Sequence, residues 1–188
     1  MDTTTMTPAY LAAENYRIGS EHEAAHALAY MVHGLSFDHI TLDDAGTGLV
    51  QPPPRMISND VAARVALAGQ VMDLNWHRQH NGDEALCDIM DYWDCAADDE
   101  DAHDIHNVRQ GTGFAGLIWA FAFADANAEL IAQAGRSLVK AGGFMTGSEF
   151  AEAVNEMPVE PSHLLRSSYV ALVEPYMVRL MEIEQKNV

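Results

Sequence analysis

The sequence predicts a mainly α-helical domain with a small β-hairpin or sheet. Three observations predict it. Long runs of apolar and small residues lack proline, Ile18 to Val32 being the first. One short window, Phe37 to Leu42, alternates instead and leads into a glycine-bearing turn. Helix start signals then recur down the chain, each followed by another apolar run.

Residues 9 to 33 read as helix, broken or bent near Gly19-Ser20, with Gly34 as the C-terminal stop. In Phe37-Asp38-His39-Ile40-Thr41-Leu42, alternation puts Phe37, His39 and Thr41 on one face and Ile40 and Leu42 on the other. A turn over Asp43 to Gly48 leads to Leu49-Val50-Gln51, so the region reads as two short strands closed by Pro52-Pro53-Pro54. Ser58 or Asn59 caps a helix that runs to about His80, where Asn81-Gly82 breaks it. The segment 83 to 104 is acidic, and a helical region is expected from about Asp98 to Gln110. Beyond Gly111-Thr112-Gly113 the reading is one long helix, Phe114 to Ala141. Thr146-Gly147-Ser148-Glu149 has the capping-box form and opens a short helix to about Asn155. Pro161 opens a last helix, with a kink expected at Pro175. No internal repeat or linker interrupts the chain. One domain is expected over 1–188, with residues 9–110 as its core and 114–186 as C-terminal helices.

Composition excludes several classes. The 188 residues are 48% hydrophobic, enough for a sizeable core. A formal charge of -18 opposes nucleic acid and anionic membrane surfaces. Cys87 and Cys95 are too few and too far apart for a zinc clip or disulfide framework, and read as thiols in a reducing compartment. The start, Met1 to Pro8, lacks the basic and apolar run of a signal peptide, and Phe114 to Ala124 is too short to span a bilayer. A cytoplasmic, soluble protein is expected.

The strongest chemical signal is His22-Glu23-Ala24-Ala25-His26. On a helix, residues four apart share a face, so both imidazoles can ligate one ion while the glutamate beside them works on water. The bland reading is two helix histidines, one buried and one solvated. A catalytic zinc needs a third protein ligand, and His33, His39, His77, His80, His103, His106 and many carboxylates are available. The extended H-E-x-x-H-x-x-G-x-x-H pattern is absent, because position 29 is Ala and position 32 is Val. The second glutamate of thermolysin-like enzymes is not evident either.

Four pieces resemble, in order, the peptidase domain of FtsH-type ATP-dependent zinc proteases. They are His22-Glu23-Ala24-Ala25-His26-Ala27-Leu28; His39-Ile40-Thr41-Leu42 with Gly46 and Gly48; Val65-Ala66-Leu67-Ala68-Gly69-Gln70-Val71-Met72-Asp73; and Ala102-His103-Asp104-Ile105-His106-Asn107-Val108. The resemblance covers roughly residues 15 to 110, with a weaker echo over 125 to 155. It implies an FtsH-peptidase-like zincin fold and a Zn2+ ion held by His22, His26 and Asp104. Asp101, His103 and His106 stand beside Asp104 as rivals for the third place. The sequence also departs from the family. It has no P-loop and no membrane anchor, Ala25 replaces the usual glycine, and Gln70 replaces the usual arginine.

The chemistry follows from those residues. Two imidazoles and one carboxylate suit zinc better than magnesium or calcium. Such a site keeps a charge of roughly +1 and brings bound water to a pKa of about 7. Glu23 is the general base, taking a proton from water and delivering it to the leaving nitrogen. Asp73 is a candidate to hold a ligand histidine through its other ring nitrogen, and Thr47 to Gln51 a candidate edge for an extended peptide. The leading reading is an ATP-independent zinc metallopeptidase acting on unfolded or short polypeptides. A homo-oligomer, or a separate ATPase or adaptor, is a candidate partner. The alternative is a metal-binding or partner-binding regulatory protein with little turnover. Intact Glu23 favours the enzyme.

Overall fold

The computed structural model describes residues 8–52, 57–81 and 113–174. Among these the chain is mainly helical with one small three-stranded antiparallel sheet. The helical region expected over 98–110 and the kink expected at Pro175 lie outside the described residues.

Helix α1 spans Pro8–Val32 without interruption. The break expected near Gly19-Ser20 is absent. A Cβ at position 19 would run into the Gly46 carbonyl, so Gly19 serves close packing and not chain reversal. Ser20 Oγ donates to the Arg17 carbonyl at 2.7 Å within the same helix. The stop at Gly34 is as expected. Gly34 has φ 65°, its N–H meets the Met31 carbonyl, and the Leu35 N–H meets the Tyr30 carbonyl, the paired bonds of a Schellman end.

Strands β1 (His39–Leu42), β2 (Gly48–Val50) and β3 (Phe144–Thr146) form the sheet in the order β2-β1-β3. The sequence reading has only the first two. The third returns from far along the chain, placing Ile40 opposite both Val50 and Met145. Those three and Leu42 are buried, while Leu49 and Phe144 lie on the open face with Thr41 between them. The expected alternation holds from His39 onward. Phe37 departs from it: it precedes β1 and is buried, edge-on to Phe150.

Helix α2 spans Asn59–Asn81, and Ser58 Oγ accepts from the Val61 N–H at its start. The single helix expected over 114–141 is two helices, α3 (Gly113–Ala126) and α4 (Ala128–Lys140), at 80° to each other. Asn127 makes the corner. Its Nδ2 donates to the Phe123 and Val159 carbonyls and its Oδ1 accepts from the Val159 N–H, the three bonds spanning 2.7–2.9 Å. The Ala-rich flanks favour continuing the helix, but a buried amide satisfied by a segment 32 residues away wins.

Helix α5 (Gly147–Val154) begins with the expected capping box. Thr146 Oγ1 accepts from the Glu149 N–H, and the Glu149 carboxylate accepts from the Thr146 N–H. Those Thr146 bonds hold the Glu149 carboxyl below its usual range. Ser162, one residue after Pro161, caps α6 (His163–Ser168), and α7 (Val170–Val173) follows.

The core runs from the sheet through α1 and α2 to α3, with Leu28, Leu67, Leu117, Trp119 and Ile40 almost fully buried. No single described helix is long and apolar enough to cross a membrane. The apolar helix α3 buries its length against α2, α6 and α7.

Candidate metal centre

The two histidines of the motif lie one turn apart on α1, as their spacing requires, and their ring nitrogens converge. The distance from His22 Nε2 to His26 Nε2 is 2.9 Å. Each opposite ring nitrogen is anchored to α2. His26 Nδ1 donates to the Val65 carbonyl at 2.7 Å, and His22 Nδ1 lies 2.9 Å from the Asp73 carboxylate. His26 is 5% exposed, so the Val65 bond fixes its ring in a nearly dry setting.

Three α2 residues spaced by four form the facing stripe. Val65 supplies a carbonyl, Gly69 an opening, and Asp73 a carboxylate. The pairings His26–Val65 and His22–Asp73 show that the two helices run antiparallel here. Gly69 is what lets the rings occupy the gap. A Cβ there would sit 2.7 Å from His22 Nε2 and closer still to His26 Nε2.

The anchors settle the tautomers. A carbonyl only accepts, and a carboxylate at neutral pH only accepts, so both protons belong on Nδ1. Each neutral ring then presents its Nε2 lone pair to the other. Two lone pairs 2.9 Å apart repel unless a cation or a proton lies between them. Two imidazole ligands at ~2.0–2.1 Å on a tetrahedral zinc stand roughly 3.3 Å apart, so the pair needs to open by only a few tenths of an ångström. The two imidazoles and their anchors therefore suit zinc as two of its ligands.

Glu23 follows His22 on α1, is 5% exposed, and lies against β2. A Cβ at Gly48 would meet the Glu23 side chain, including Cδ at 2.8 Å. The start of β2 thus packs directly on the carboxyl arm. The register of β1 with β2, with Gln51 N–H on the His39 carbonyl and Asp43 N–H on the Thr47 carbonyl, turns the amides of Gly48 and Val50 toward the sheet edge. Strand β2 is an edge strand among the described residues.

Two other histidines whose side chains are described lie elsewhere. His39 bonds Asp38 and stacks on Phe144, and His33 stacks on Trp119. Among the described residues no group of three His, Cys, Asp or Glu side chains is set to hold an ion. Asp104 lies outside the described residues, as do its rivals Asp101, His103 and His106. Asp73 emerges as the partner of a motif histidine, as its position in the sequence suggests. The Val65 carbonyl and the openings at Gly48 and Gly69 are further parts of the site. Gly48 and Gly69 each fall in one of the four resembling segments, whereas the Val65 carbonyl carries no sequence signal.

No family model matches the chain, and neither does any curated protein or solved structure. The class of site therefore rests on its own geometry: a helix-borne histidine pair with anchored tautomers and a buried glutamate beside an edge strand.

Proposed function

We propose that this chain is a zinc-dependent metallopeptidase, similar to the peptidase domain of FtsH-type proteases and working without ATP on its own chain. His22, His26 and Asp104 hold the ion, and Glu23 is the general base. The observation that carries this reading is the opposed Nε2 pair, with both Nδ1 positions committed to acceptors. Such preorientation suits a cation and has little purpose in a helix that only packs.

Zinc, when bound, would polarise both a water and the scissile carbonyl. Asp73 and Val65 keep the two rings in the ligating tautomer. Glu23 takes the proton from water and passes it to the leaving nitrogen, and its burial limits competing solvent. An extended peptide would pair with the amides of Gly48 and Val50 along the β2 edge, bringing its backbone beside Glu23. The substrate class is therefore unfolded or short polypeptide. Self-association, or delivery by a separate ATPase or adaptor, would supply such chains.

The test measures bound metal and cleavage of casein and peptide pools for the wild type, Glu23→Gln and His22→Ala. The expected result is zinc in the wild type and Glu23→Gln, cleavage in the wild type alone, and neither in His22→Ala. Zinc without cleavage in wild type and Glu23→Gln alike would overturn the enzyme and leave a metal-binding regulator.

A further inference from the structure

A second histidine environment lies at the far end of α1, away from the metal pair. His33 sits in the turn that ends the helix, its ring stacked on Trp119 at 5.2 Å, and Trp119 stacks in turn on Phe123 at 4.7 Å. His33 Nε2 is buried and has no hydrogen-bond partner among the described residues. A sealed ring nitrogen without a partner loses the hydration it would have in water.

Charged groups surround this stack. From α2, the Arg64 guanidinium lies 5.8 Å from the centre of the Trp119 ring. From the strap 155–162, which joins α5 to α6, Glu160 Oε1 accepts the Trp119 indole N–H at 3.0 Å. From α6, Arg166 Nη2 lies 3.3 Å from the same oxygen, and its Nε donates to the Pro161 carbonyl. Helix α3 contributes the Trp119 and Phe123 rings. Burial lowers the proton affinity of His33, Glu160 raises it, and Arg64 lowers it.

We infer that His33 is a proton-operated switch: proton uptake at its sealed ring nitrogen draws the Glu160 carboxylate off the Trp119 indole and re-seats the strap 155–162 on α3. The neutral ring is a half-buried aromatic that leaves Glu160 to Trp119 and Arg166. The protonated ring becomes a third donor beside Trp119 and Arg166, and Glu160 is the anion that favours it while Arg64 opposes it. One carboxylate is thus contested by three donors on three elements. The strap it belongs to is otherwise tied to the α3–α4 corner through Asn127 and Val159. A change at His33 is therefore passed to backbone that packs the core.

The test follows the His33 ring and the Trp119 indole N–H by NMR between about pH 8 and pH 5 in the full chain. The expected result is one shared transition, centred below about pH 6.5. His33→Phe should abolish the Trp119 step and leave the Trp76 signal unmoved. Glu160→Gln should shift the His33 transition to lower pH and shrink the Trp119 step. The inference is overturned if Trp119 does not move with His33, or if its step survives in His33→Phe. It is also overturned if Glu160→Gln leaves the His33 transition in place. If His33→Phe does not fold, the Glu160→Gln comparison decides alone.

Discussion

The Asp73 carboxylate holds His22 by its Nδ1 at 2.9 Å, across the seam between α1 and α2. The contact fixes which ring nitrogen is free and where it points. Asp73→Ala should therefore lower zinc affinity by roughly 10–100-fold while leaving the helix content unchanged. Competition with a chromophoric chelator measures the first and far-UV circular dichroism the second. Unchanged affinity would reduce Asp73 to a surface carboxylate.

Gly69 is the second control point. In an exposed helix Gly→Ala would gain about 1 kcal/mol. Here the added methyl enters the space of both imidazoles, and overpacking of this kind costs about 1–3 kcal/mol. Gly69→Ala should lose zinc outright and gain no stability in urea denaturation. A stabilised, zinc-loaded variant would show that the rings can move aside freely.

Asn127 carries the turn between α3 and α4. Asn127→Ala strips the side-chain partner from the Val159 carbonyl and from the Val159 N–H, while the Phe123 carbonyl keeps the Asn127 backbone N–H. At about 1–3 kcal/mol for a buried group left unpaired, the loss should be on the order of 3 kcal/mol. Equilibrium unfolding measures it, and a change below 1 kcal/mol would mean that water replaces the amide.

These positions also show what was legible in the sequence. The histidine pair, the Schellman end at Gly34 and the capping box at Thr146 are local patterns, with cause and effect within four or five residues. The α3–α4 corner is not local, because the groups that satisfy Asn127 belong partly to Val159. Strand β3 is three residues long and gains its identity only by pairing with β1. Gly19 misleads for the same reason: the Gly46 carbonyl that requires it is absent from any local window. In the site, the candidate side-chain ligands are visible as letters. The Val65 carbonyl is not, since any residue at that position offers the same atom.

Acid should weaken the fold through His33. Burial, assisted by Arg64, lowers its folded-state pKa below the usual 6.5 despite the opposing pull of Glu160. The unfolded chain then binds more protons between the two values, so stability rises with pH there. The contribution is full above about 6.5 and is lost as pH falls through the folded value. Unfolding midpoints measured between about pH 7.5 and pH 5 should fall less steeply in His33→Gln than in the wild type. Equal slopes would remove His33 from the acid response, leaving the remaining titrating groups to account for it.

Gly48 separates the proposed base from the proposed metal pair. Its Cα faces the Glu23 arm, whereas Gly69 faces the imidazoles. Gly48→Ala adds a methyl against Glu23 Cδ and the Thr41 carbonyl and leaves the histidine pair and its anchors untouched. Zinc content should therefore stay at the wild-type level while peptide cleavage falls by ~100-fold, the lower range of general base catalysis. Gly69→Ala should fail in the reverse sense, with metal lost first. If both variants lose zinc together, the glycines support only a common packing core and Glu23 has no separable role. If Gly48→Ala retains full cleavage, the carboxylate acts from a position other than the one β2 gives it.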